Sequence, residues 1–177
     1  WKCNAISNFF TKIKLIMTIL DKIIVDKKIE VSIRKKLFPV FYLEKSPLFE
    51  KSIISLSKCL LKSKSGIISE HKRRSPSKQN INNSLSVIDV VKGYDSSGVC
   101  GISILTDGKY FGGSLEDLNI ARASTKLPLL RKDFVIDEFQ IIEAKAHGAD
   151  VILLIASILN QKEIKHLSTF AKSLDLE

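Results

Sequence analysis

The sequence predicts an α/β fold: a partial (β/α)8 TIM barrel, its first four βα units preceded by an N-terminal helical extension. Three observations point there. From Gly66 onward, strand-like and helix-like segments alternate four times. The strand segments are continuous apolar runs, the pattern of strands buried on both faces in a parallel sheet covered by helices. The first of them runs into His71-Lys72-Arg73-Arg74-Ser75-Pro76-Ser77, which holds no glycine, whereas an open dinucleotide-binding sheet places a glycine-rich phosphate loop there. A complete barrel takes about 250 residues, so the 177 residues hold four of its units, and the C-terminal half of a barrel is absent from them.

Taken in order, residues 18–36 carry Ile19, Leu20, Ile23 and Ile24 among lysines, a moderately amphipathic helix. Pro39 and Pro47 interrupt the next stretch, and Ser52 to Leu61 is a short apolar segment of one or two helical turns. Residues 65–70 form a short strand opened by Gly66, and Leu85 to Ser97 a helix with Val87, Val91 and Tyr94 on one face. Val99 to Leu105 is the second strand, and Ser114-Leu115-Glu116-Asp117 reads as a capping box opening the next helix. Leu127 to Leu130 is the third strand; Asp137 to His147 is helical and stops at Gly148. Ala149 to Ala156 is the fourth strand, and Asn160 caps a last helix whose Ile164, Leu167, Ala171 and Leu174 share a stripe. The chain thus divides into residues 1–16, a non-native or read-through extension ahead of the sole methionine, Met17; 17–64, the helical extension; and 65–177, the half-barrel.

Composition bounds the function. Hydrophobic residues at 45% and charged ones at 27% describe a globular domain rather than a disordered chain. The net charge of +9 favours anionic partners, phosphorylated metabolites first among them. Cys3, Cys59 and Cys100 are odd in number and lack metal-ligand spacing, so neither a disulfide framework nor a metal site is expected, and a cytoplasmic setting fits. No apolar run reaches the roughly 18 residues a membrane-spanning helix requires.

The carboxyl ends of barrel strands share one mouth, where active sites sit. The first strand ends at Glu70, with Lys72 two residues on, so alternation along the strand points both side chains the same way. The third ends in Arg131-Lys132-Asp133-Phe134, and the second in Thr106-Asp107-Gly108-Lys109-Tyr110-Phe111-Gly112-Gly113. A carboxylate between lysines orients them and tunes their proton affinity, which makes a lysine usable as a general acid.

Three of these segments resemble one family. Glu70-His71-Lys72-Arg73-Arg74-Ser75-Pro76-Ser77 is similar to the E-x-K-x-x-S-P-S signature of indole-3-glycerol-phosphate synthases. Leu105-Thr106 through Tyr110-Phe111 to Gly113-Ser114 is similar to their L-T-x-x-x-Y-F-x-G-S segment, and Pro128 to Phe134 to their P-[IL]-L-x-K-D-F strand; Gln140 and Gly148-Ala149-Asp150 fall in register. The resemblance runs from about Met17 to the last residue and departs mildly at Ser69 and Gln79. It implies a cofactor-free, metal-free carbon–carbon lyase of tryptophan biosynthesis. That enzyme closes the pyrrole ring of 1-(2-carboxyphenylamino)-1-deoxyribulose 5-phosphate with loss of carbon dioxide and water. By the same resemblance Lys132 protonates the substrate ketone, Lys72 binds anionic groups and assists dehydration, and Glu70 holds both lysines. Ser75 helps bind substrate, and Phe111 and Phe134 wall the pocket for the anthranilate ring. The family's remaining site residues, from its fifth strand on, lie beyond Glu177. The 177 residues alone are therefore expected to be inactive, and their open sheet edges to self-associate.

Plainer readings stand beside these. A lone Glu-x-Lys pair is ordinarily a surface salt bridge, Lys72-Arg73-Arg74 a solvated charge run, Phe111 and Phe134 core residues, and Lys109 a loop charge. His71, His147 and His166 are read as surface or helix residues without chemistry. Competing functions are another phosphate-binding barrel enzyme, such as a sugar-phosphate isomerase, and a basic nucleic-acid-binding module. The second would interleave aromatics with its basic residues, and 72–78 contains none. The expected partner is a small phosphorylated substrate, with no nucleic acid and no membrane.

Overall fold

The computed structural model describes residues 17–177; the expectation for 1–16 lies outside them. Among the described residues three helices come first: α1 (Ile19–Leu37), α2 (Val40–Glu44) and α3 (Leu56–Lys62). Four βα units come after them: β1 (Ile68–His71) and α4 (Val87–Ser96); β2 (Gly101–Leu105) with a one-turn α5 (Gly108–Phe111) and α6 (Leu115–Ser124); β3 (Leu129–Lys132) and α7 (Glu138–Ala146); β4 (Val151–Ile152) and α8 (Gln161–Ser173). The strands make one parallel sheet in the order β1-β2-β3-β4, which with its helices is a partial (β/α)8 barrel.

Local chemistry explains the element ends. Thr18 opens α1 with a reciprocal box: its hydroxyl accepts from Asp21 N, and the Asp21 carboxylate accepts from Thr18 N. Asn160 and Glu163 do the same for α8. At α6 the expected box does not close. Ser114 accepts from Asp117 N, but the Asp117 carboxylate is taken by the Arg73 guanidinium instead. Gly148 takes a left-handed conformation (φ +83°) that ends the α7 segment at the expected place.

Element bounds differ from the sequence reading where strand pairing decides them. Pro128 has no amide hydrogen, so the β3 ladder starts after it and reaches through Arg131 and Lys132, two residues beyond the expected end. The apolar run 149–156 contributes only Val151 and Ile152 to the sheet, because β3 offers partners for just those two. Glu177 exchanges backbone bonds with Asp150 and Ile152 on the other side of β4. Helices α2 and α5 stand where the sequence reading places no helix. Pro39 precedes α2, and Asp107 caps α5 by accepting from Tyr110 N.

The outer sheet face and the helices make the core: Val91, Ile102, Ile104, Leu118, Ala121, Leu129, Ile141 and Ala144 are fully enclosed. The extension grips this body at both ends. At the amino ends of the strands, Leu56 of α3 packs on Cys100 and Val151, so close to Gly101 that a Cβ there would stand 2.6 Å from the leucine. Asp150 fastens the same end: its buried carboxylate accepts from Ile54 N at 2.7 Å, Leu129 N at 2.8 Å and Arg122 Nη1 at 2.8 Å. At the carboxyl ends, α1 lies across the strands through its Ile23, Lys27 and Val31 stripe. Among the described residues no helix is long and apolar enough to cross a membrane.

One expectation fails outright. His71 is not a surface residue: it faces outward from β1 into the helix layer, 1% exposed, and among the described residues neither ring nitrogen has a hydrogen-bond partner. Strand alternation opposite to Glu70 sends it there. Burial, with the nearby Arg73 charge, holds its pKa below the ordinary histidine value. The unfolded chain therefore binds a proton that the folded chain refuses, and stability is lost as pH falls from about 6.5 toward the folded value. His71→Leu removes an unsatisfied polar group and stabilises the fold by about 1–3 kcal/mol. Urea unfolding at pH 7 and pH 5 should show the larger gain at pH 5.

Candidate active site

The inner face of the sheet carries the polar residues at the strand ends. Register aligns Glu70 with Ser103, and Leu105 with Lys132, so Glu70 and Lys132 stand on the same face, one pleat apart across β2. Lys72 lies just past β1, two residues after Glu70 and pointing the same way. The Glu70 carboxylate is shared between the two ammonium groups: Lys72 Nζ donates to Oε1 at 2.5 Å and Lys132 Nζ to Oε2 at 2.7 Å. All three side chains are about one-third exposed, open to a ligand from the mouth. Burial alone would raise the Glu70 pKa; the hydrogen bonds and charges of Lys132 and Lys72 outweigh it and bring the carboxyl below its usual value. Tyr94 of α4 donates to the Glu70 carbonyl at 3.1 Å, fixing the strand end behind the carboxylate.

Beside Lys132, the Phe111 and Phe134 rings meet in a tilted pair, centroids 6.0 Å apart. With Lys132, Leu105 and Leu153 they line a largely apolar cavity of about 190 Å³. Five predicted residues, Glu70, Lys72, Lys132, Phe111 and Phe134, are thus brought to one mouth. Ser75 is not joined to them by hydrogen bonds. Its backbone bridges Lys78, and its hydroxyl meets Ser77 at 3.2 Å and accepts from Lys78 N at 3.1 Å, all within its own loop. That loop is fastened to the segment after β2, where Arg73 Nη1 donates to Gly112 O at 3.0 Å and Arg74 Nη2 to Gly108 O at 2.8 Å. The charge run 72–74 is therefore not a solvated surface. A larger cavity of about 600 Å³, between α1 and the loops after β3 and β4, holds none of these side chains. Chemistry, not size, singles out the smaller one. Among the described residues no three His, Cys, Asp or Glu side chains gather to hold a metal.

Sequence reasoning assigned nothing to the buried network under this mouth. Lys27 of α1, 1% exposed, donates to Glu30 Oε2 at 2.8 Å and forms ion pairs with Asp107 Oδ2 at 2.9 Å and Asp133 Oδ1 at 3.0 Å. Asp133 also accepts from Thr106 Oγ1 at 2.6 Å and pairs with Arg131 Nη2 at 3.1 Å. Arg131 reaches Glu143 at 3.4 Å, and Glu143 holds Arg34 at 2.6 Å. A signal existed in the four-residue spacing of Ile23, Lys27 and Val31, which puts a lysine in an apolar stripe. Lys109 is more than a loop charge: it pairs with Asp26 at 2.6 Å, and Tyr110 donates its hydroxyl to the same carboxylate.

The fold and the mouth together define a partial (β/α)8 barrel with a two-lysine, one-carboxylate cluster at the carboxyl ends of its first and third strands. The indole-3-glycerol phosphate synthase family model matches residues 20–177. The indole-3-glycerol phosphate synthase of Bacteroides thetaiotaomicron is 42% identical over 159 residues, 90% of this chain and 61% of the relative. That of Aquifex aeolicus is 48% identical over 126 residues, 71% of this chain and 49% of the relative. That of Campylobacter jejuni subsp. doylei is 42% identical over 163 residues, 90% and 63% respectively. The chain belongs to the indole-3-glycerol phosphate synthase family, and it spans between about half and two-thirds of the length of these relatives.

The Asp133 carboxylate, nearly enclosed, has a pKa of about 2: burial opposes its charge, but Arg131, Lys27 and the Thr106 hydroxyl outweigh burial. Its contribution is present above the ordinary carboxylate range near pH 4 and is lost as pH falls through about 2. Asp133→Asn should cost about 3–5 kcal/mol at pH 7, since it leaves buried cations short of a partner. The gap to wild type, from urea unfolding at successive pH values, should narrow only below about pH 4.

Proposed function

We propose that this chain supplies the first half of the catalytic mouth for its family's ring closure. In that reaction 1-(2-carboxyphenylamino)-1-deoxyribulose 5-phosphate becomes indole-3-glycerol phosphate, with release of carbon dioxide and water. The observation that carries the reading is the Glu70 carboxylate held between Lys72 and Lys132 beside an aromatic-walled cavity. Attack of the aromatic carbon on the ketone builds negative charge on the ketone oxygen, and a fixed ammonium there stabilises and protonates it. Lys132, adjoining the cavity, takes that role. Lys72, on the other oxygen of Glu70, binds the anionic groups of the substrate and assists proton transfer as water leaves. Glu70 orients both ammonium groups through charge-assisted hydrogen bonds. Phe111 and Phe134 hold the anthranilate ring, and Ser75 contributes to substrate binding once its loop meets the ligand. The setting is the cytoplasm, with which the free thiols of Cys59 and Cys100 agree.

The test joins this chain to the portion of the Bacteroides thetaiotaomicron relative outside the match and follows the fluorescence of the indole product. A cooperatively folded chimera should turn over the substrate. Lys132→Ala should lower kcat by about 10²–10⁴-fold, the range of a positioned general acid. A folded chimera without product, or one indifferent to Lys132→Ala, overturns the reading.

A further inference from the structure

The buried ammonium of Lys27 has neighbours that a structural salt bridge would not need. Its two aspartate partners each set the backbone turn that presents one wall of the aromatic cavity. Asp107 caps α5 by accepting from Tyr110 N at 2.7 Å, one residue before Phe111. Asp133 accepts from Phe134 N at 2.8 Å, one residue after Lys132. The far side of the second turn is pinned by Gln140, which donates to Phe134 O at 3.0 Å and accepts from Ile136 N at 2.8 Å. The first turn is pressed against its strand: a Cβ on Gly113 would stand 2.0 Å from Leu105 O. Each turn is rigid within itself. The strands below the turns are joined by Thr106, whose N donates to Lys132 O at 3.1 Å and whose hydroxyl donates to Asp133 Oδ2 at 2.6 Å; among the described residues, Lys27 is the cation that touches both carboxylates, at 2.9 and 3.0 Å.

We propose that Lys27 is a positioning residue for the aromatic pocket, setting from outside the barrel sheet the mutual placement of Phe111 and Phe134. Two carboxylates buried to 1–2% exposure repel each other unless a cation lies between them. Without it the Thr106 bonds alone hold the strand ends together while the two carboxylates repel, the Asp107 turn rotates away from Asp133, and the rings at 6.0 Å lose their tilted contact. Asp26, the neighbour of Lys27, holds Lys109 and Tyr110 of the same α5 turn, so α1 grips the Phe111 wall at two points and the Phe134 wall at one. The helical extension thereby reaches the pocket without lining it. That the pocket receives an anthranilate ring rests on the proposed function; the ring placement does not.

The experiment uses the chain with ¹³C-labelled phenylalanine and reads the proton–proton contact between the Phe111 and Phe134 rings by NMR, with anthranilate as the binding probe. Lys27→Met should abolish the ring contact and weaken anthranilate binding by at least about tenfold, given that small misplacements of a site are costly. Lys27→Arg should retain both. Arg34→Met, which removes the half-buried α1 pair with Glu143, should lower stability but leave the rings in contact. Ring contact surviving in folded Lys27→Met, or lost equally in Arg34→Met, overturns the proposal. Should Lys27→Met fail to fold, Lys27→Gln with Asp133→Asn removes the charges while keeping hydrogen-bonding groups, and the same outcomes are read there. Wild type that shows the ring contact but binds no anthranilate overturns the pocket's assignment and leaves the role of Lys27 standing.

Discussion

A lysine ammonium enclosed with aspartates at the carboxyl ends of β2 and β3 is the constraint on which the upper half of this molecule depends. Neither partner tolerates burial alone: an isolated charge in a protein interior costs several kcal/mol even after relaxation. Lys27 can be buried only where Asp107 and Asp133 already stand, and those carboxylates can be buried only if α1 delivers the lysine. The helix is thereby registered on the barrel more sharply than its apolar side chains could manage, since those leave Ile19, Ile29, Ile33 and Leu37 exposed. The network continues through Arg131, Glu143 and Arg34 back to α1, so the extension is tied at both ends of one closed electrostatic loop.

The candidate site is built on the opposite face of the same residues. Along Arg131-Lys132-Asp133 the strand alternation sends one cation and one carboxylate into the buried network and the intervening lysine into the open mouth. Two chemistries therefore share three consecutive residues without mixing. The outer pair is enclosed and satisfied. Lys132 is about one-third exposed and shares its carboxylate partner with Lys72. A general acid needs such an arrangement: fixed by a rigid strand and a bonded neighbour, yet reachable from solvent. The loop after β1 is held by Arg73 and Arg74 to the segment carrying Phe111, so the two sides of the mouth are mechanically connected.

Much of this is legible in the residues. The four βα units, the caps at Asn160 and Gly148, and the convergence of Glu70 with Lys72 all come from local periodicity and from barrel geometry. The misreadings have a common cause. Strand ends at Pro128 and Val151 are displaced because a ladder needs partners, and partners are not visible in one segment. A surface reading of His71 rests on its polar type, while its parity on β1 sends it outward from the sheet into the helix layer, where it is buried. Lys27 resembles one more lysine on a basic helix, although the four-residue spacing from Ile23 to Val31 marks it as internal.

Element order, the parallel arrangement and the family are settled by the order of amino acids alone, because they rest on local pattern and on long motifs whose residues adjoin one another in the chain. Which charges are buried and paired is decided only when the chain is folded. Ion pairs such as Lys27 with Asp133 or Lys132 with Glu70 join residues 106 and 62 positions apart. Their free energy depends on desolvation and on distances of about 3 Å, which no single segment encodes.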